Sequence, residues 1–72
     1  MNATEVAILR QFRVYKAMPN EMLFLNSGFA KSHPQEFLRA VNSLMKQDLM
    51  VEERPRGAYS LPASGYAASL SS

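Results

Sequence analysis

Apolar residues near the amino end recur at helical spacing, Val6, Leu9 and Phe12 in one row and Ile8, Phe12 and Tyr15 in another. Residues three and four apart share one side of a helix, so this pattern predicts a first helix over residues 3–17. Asn2 followed by Glu5 has the spacing of a capping box at its start. Arg10, Arg13 and Lys16 share its other side. Met18-Pro19 closes it, because the residue before a proline avoids the helical region. A short second helix is predicted over residues 20–27, with Met22, Leu23 and Leu25 on its apolar side. Asn26-Ser27-Gly28 would end that helix, with Gly28 supplying a left-handed conformation. Phe29-Ala30-Lys31 reads as the following turn.

The third helix begins at Ser32 or His33. Ser32 with Gln35 fits a capping box, while Pro34 fits the first helical position if His33 is the cap, and the pattern leaves both open. Phe37, Leu38, Val41, Leu44 and Met45 form one apolar stripe, and the helix ends near Asp48. Residues 49–54 and 58–62 read as two strands joined by Arg54-Pro55-Arg56-Gly57. Proline second and glycine fourth suit a type I turn in a hairpin. Tyr59 and Leu61 alternate with Ala58 and Ser60, so one face of the second strand can cover the helices. Residues 62–70 read as a last helical turn or two, and residues 69–72 as a frayed tail. The expected core is Phe12, Leu25, Phe37, Val41, Leu44, Tyr59 and Leu61.

Composition narrows what such a chain can be. Its 72 residues make one domain without repeat or linker. A chain this short buries only roughly 60% of its unfolded surface, so its core is small. Hydrophobic residues make up 47%, which is enough for a packed middle. With no cysteine, disulfides and thiolate metal sites are excluded. The five methionines read as core gap-fillers. The net charge of +2 permits an anionic partner without demanding one. Neither a signal peptide nor a membrane span is visible, so the expectation is a cytoplasmic protein. His33 has no second histidine beside it and reads as a surface or capping residue, so no metal, cofactor or catalysis is expected.

The third helix carries the candidate chemistry. Gln35, Arg39, Asn42 and Lys46 fall at intervals of four, three and four, in one polar stripe away from Phe37, Val41 and Leu44. Gln and Asn pair bidentately with an adenine edge, and Arg with guanine, in the major groove of DNA. Lys46, with Lys31 and Ser32 at the start of the helix, suits phosphate contacts. Arg54 and Arg56 stand at the hairpin tip.

From about Met18 to Leu70 the chain resembles a bacterial or phage winged helix-turn-helix domain. The resemblance rests on the unit of second helix, turn with Gly28, and third helix. It rests also on Leu44 to Val51, where the helix passes into the wing, and on Tyr59-Ser60-Leu61-Pro62-Ala63-Ser64-Gly65. The latter is similar to the family's Tyr-x-Leu-Thr-x-x-Gly at the end of the second wing strand. Asp48 stands where that family usually has Gly or Asn, and Glu52 and Glu53 lie on the first wing strand. The resemblance implies an α+β fold, with a three-helix core and a C-terminal two- or three-stranded antiparallel wing. It implies that the third helix is a recognition helix and that residues 54–57 touch the minor groove or the backbone. The expected function is a sequence-specific, nucleoid-associated DNA-binding regulator acting on double-stranded DNA. Its site residues would be Lys31, Ser32, Gln35, Arg39, Asn42, Lys46, Arg54 and Arg56. The alternative is a winged-helix module that binds another protein, or itself, without DNA. A third expectation is a phage-type modulator of a host enzyme.

Overall fold

The Asn2 side chain accepts the Glu5 backbone N–H at 2.8 Å, and the Glu5 carboxylate accepts the Asn2 N–H at 2.8 Å. This reciprocal cap opens α1, Ala3–Val14, in a computed structural model that describes residues 1–25 and 28–71. The predicted helix end at Asn26-Ser27, and Ser72 of the tail, lie outside the described residues. α1 stops before residue 17, and Met18-Pro19 is not what ends it. Lys16 takes a positive φ of 56°. Its N–H then reaches the Arg13 carbonyl at 3.0 Å, and the Ala17 N–H reaches that of Phe12 at 2.9 Å. This paired closure satisfies two orphan carbonyls and folds Ala17 into the core.

The predicted second helix over residues 20–27 is not formed. Asn20, at φ 69°, donates its N–H to the Leu61 carbonyl at 2.8 Å, so the chain runs beside the segment that holds Leu61. It continues as β1, Leu23–Phe24. The helix lies instead where a turn is predicted, as α2, Gly28–Ser32. Gly28 therefore opens a helix instead of ending one. Only His33 separates α2 from α3, Pro34–Lys46. Pro34 takes the first position and His33 the cap, so the alternative start at Ser32 is not the one used.

α3 ends as α1 does. Asp48 has φ 58°. Its N–H reaches the Met45 carbonyl at 3.1 Å, and the Leu49 N–H reaches that of Leu44 at 2.9 Å. β2, Val51–Glu52, and β3, Ala58–Ser60, follow and are shorter than the predicted strands. Their turn is closed by the Ala58 N–H on the Pro55 carbonyl at 3.1 Å. The turn thus spans Pro55 to Ala58, one residue later than predicted. Gly57 is its third residue at φ 94°, a conformation that suits glycine. α4, Ala63–Leu70, completes the chain.

Among the described residues the protein is an α+β fold of four helices and a three-stranded antiparallel sheet in the order β1-β3-β2. That arrangement is compatible with a winged helix. Leu23 faces Tyr59 and Phe24 faces Ala58 on one side of β3, while Val51 faces Ser60 and Glu52 faces Tyr59 on the other. The core joins Ile8, Leu9 and Phe12 to Phe37, Ala40, Val41 and Leu44, with Met50, Tyr59 and Leu61 closing it from the hairpin side. Leu25 is only partly buried against it. The methionines divide, with Met50 buried, Met45 partly buried, and Met1, Met18 and Met22 exposed. Ser69, expected in a frayed tail, is buried in α4, and its hydroxyl donates to the Tyr66 carbonyl at 2.6 Å.

α4 is seated on the turn that ends α3. The Ser64 hydroxyl donates to the Asp48 carbonyl at 2.6 Å, and Gly65 lies so close to the Leu49 carbonyl that a Cβ would collide with it. Gly65→Ala is expected to push α4 off this seat and lower the melting temperature. Leu44→Ala should cost about 2–5 kcal/mol, since Leu44 is fully buried. Asp48→Gly should instead raise stability by about 1 kcal/mol, because glycine adopts the left-handed conformation without a Cβ penalty. Thermal and urea melts of the three variants check these signs.

Candidate nucleic-acid interface

α3 is divided lengthwise. Phe37, Ala40, Val41 and Leu44 are buried, whereas Gln35, Arg39, Asn42 and Lys46 are all exposed along the opposite side. Lys31 and Ser32, at the end of α2, are exposed one turn before the stripe begins. The His33 ring leans on Phe29 of α2 with centroids 5.1 Å apart, which holds the break between the helices. Glu36 is the acidic residue nearest the stripe in sequence. It stands roughly 100° round the helix from Gln35, and its carboxylate accepts the Thr4 hydroxyl of α1 at 3.4 Å.

One member of the predicted apolar stripe does not belong to the core. Leu38 is 52% exposed. The helical wheel carried the signal: Leu38 lies roughly 100° from Phe37 but only ~40° from Asn42. It borders the polar stripe rather than the interior.

Arg54 and Arg56 are exposed at the tip of the β2–β3 hairpin. Of the two acids Glu52 and Glu53, Glu53 is half-buried and accepts the Ser60 hydroxyl at 2.7 Å, so it is held inside the hairpin. Glu52 stays exposed, opposite Tyr59. Burial pushes the Tyr59 hydroxyl above its ordinary pKa, Glu52 adds to that effect, and Arg56 opposes it. Residues 52–56 line one open groove, and His33, Pro34, Gln35, Glu36 and Arg39 line another. Among the described residues no group of His, Cys, Asp or Glu could hold a metal ion, and no helix is long and apolar enough to cross a membrane.

The orientation of α3 is fixed from behind by Glu5, a residue whose spacing pointed only to a helix cap. Glu5 is 4% exposed. Besides the Asn2 N–H, its carboxylate accepts the Ser43 hydroxyl at 2.7 Å and the Gln47 side-chain amide at 3.1 Å. It thus pins the start of α1 to the end of α3. The Asn2 N–H chiefly lowers its pKa, with Ser43 and Gln47 helping and burial opposing. A carboxyl whose pKa is depressed on folding adds stability at neutral pH and loses it as acid protonates the folded form. Stability should therefore fall below about pH 4.5, the ordinary value of this group. Glu5→Gln should cost about 1–3 kcal/mol at neutral pH and flatten that acid decline. Urea unfolding as a function of pH checks both.

No protein-family model matches this chain, no curated protein matches it in sequence, and no solved structure matches it.

Proposed function

We propose that this protein is a winged-helix DNA-binding regulator in which α3 enters the major groove and the β2–β3 tip lies against the backbone. The observation that carries this reading is the exposed stripe of Gln35, Arg39, Asn42 and Lys46, set on a helix whose other side is locked in the core. Rigid support matters, because base readout needs side chains held in register with the base edges. Gln35, Arg39 and Asn42 supply the bidentate groups, while Lys31, Ser32, Lys46, Arg54 and Arg56 supply phosphate contacts. The Glu53–Ser60 bond supports the same reading, because it withdraws one acid from the surface that would meet phosphate.

A second reading, a protein-binding module, draws on the sheet. Phe24 and Val51 are exposed beside β3, and Glu52 is exposed next to them. The two readings separate on salt dependence. If about four cations meet phosphate, log affinity for duplex DNA should fall with log salt at a slope of about −3 to −4. Replacing both Arg54 and Arg56 with alanine should weaken binding to all sequences alike. Absence of DNA retention at low salt would favour the protein-binding module.

Reading and anchoring should also separate along α3. Asn42→Ala should relax sequence preference, losing about 1–3 kcal/mol of discrimination at one base pair, with the salt slope nearly intact. Lys46→Ala should lower affinity evenly and flatten the slope by about one unit. Titrations of both variants against duplexes selected by the wild-type protein measure the difference.

A further inference from the structure

We infer that Leu38 is a specificity residue that reads the C5-methyl group of a thymine, so that the bound site contains an A·T pair under the middle of α3. This inference rests on the DNA-binding reading above. Leu38 lies three residues after Gln35 and four before Asn42, so it is their neighbour on the helix surface. It is 52% exposed while Phe37, Val41 and Leu44 of the same helix are buried. A lone exposed leucine is ordinary on a protein surface. Its position is what matters here, since it borders the Gln35–Arg39–Asn42–Lys46 stripe. The other exposed apolar side chains, such as Val14, Met18, Phe24 and Val51, lie on other elements or loops.

Chemistry then selects the target. The major-groove edge offers hydrogen-bond donors and acceptors, which suit Gln, Arg and Asn, and one apolar feature, the thymine methyl. A leucine packed on that methyl removes apolar surface from water on both partners. A leucine over a cytosine amino group would instead strip water from a donor that it cannot satisfy. Leu38 and Asn42 are four residues apart, about 6 Å along the axis. Base pairs stack roughly 3.4 Å apart. The two side chains therefore reach pairs one or two steps from each other. Asn42 suits an adenine edge, and Leu38 suits the thymine of a pair one or two steps away.

The test compares thymidine with deoxyuridine, which differ only in this methyl group. Duplexes are first selected from a random pool by the full-length wild-type chain. Each thymine of a selected duplex is then replaced in turn, and affinity is measured by fluorescence anisotropy. One position is expected to weaken wild-type binding about four-fold, the effect of burying a single methyl group. Leu38→Ala should bind the thymine duplex about as weakly and should ignore replacement at that position. Its melting temperature should be unchanged, because the side chain is exposed. If every uracil duplex binds the wild type as tightly as its parent, the inference is overturned while the DNA-binding reading stands. Retention of the thymine preference by Leu38→Ala overturns it as well. If no duplex is retained even at low salt, the DNA-binding reading itself fails and takes this inference with it.

Discussion

The close seating of α4 on the turn that ends α3 is the constraint on which the rest of the structure depends. Asp48 reverses the chain in a left-handed conformation, and Leu49 and Met50 lead into β2. Gly65 must have no side chain for the Leu49 carbonyl to approach it, and Ser64 holds the neighbouring Asp48 carbonyl. This one junction fixes the exit of α3, the start of the β2–β3 hairpin and the position of α4. Since α4 packs on α1, it also closes the helical layer. In a chain of 72 residues, little buried surface is left to compensate for a poor fit at such a point.

The Glu5 carboxylate performs the matching task at the other side of α3. It begins as a local device, half of a capping box, and becomes a tertiary one by taking Ser43 and Gln47 as donors. A buried carboxylate is tolerable only when its oxygens are bonded, and here three donors meet it. Two faces of α3 are thereby committed, one to apolar packing and one to Glu5. The stripe from Gln35 to Lys46, with Leu38 at its border, is what remains for a partner. The exposed residues Phe24 and Val51 are apolar and stand on the sheet, on other elements than that stripe.

Much of this was determined by the sequence alone. The Asn2–Glu5 cap, the amphipathic division of the third helix and the hairpin around Gly57 all follow from contacts within a few residues, while the structure chose between the two starts that the sequence left open for that helix. The expected core residues Phe12, Phe37, Val41 and Leu44 are buried because their spacing matched the helical period, whereas Tyr59 and Leu61 are buried together with Ala58 and Ser60, so the alternation expected of that strand is absent. The polar stripe of α3 was legible for the same reason.

What only the tertiary structure decided is where local signals were balanced. Met22-Leu23-Phe24-Leu25 is apolar throughout, so no period separates helix from strand, and pairing with β3 made the choice. α1 ended early because Ala17 gained a buried place, a benefit visible only once the core exists. Leu38 lay between two faces of a helix, and its exposure depended on which neighbours packed against α3. The second acceptor role of Glu5 joins residues 38 and 42 apart in the chain. Such long-range partners leave no local period, spacing or cap in the sequence, and only the folded packing brings them together.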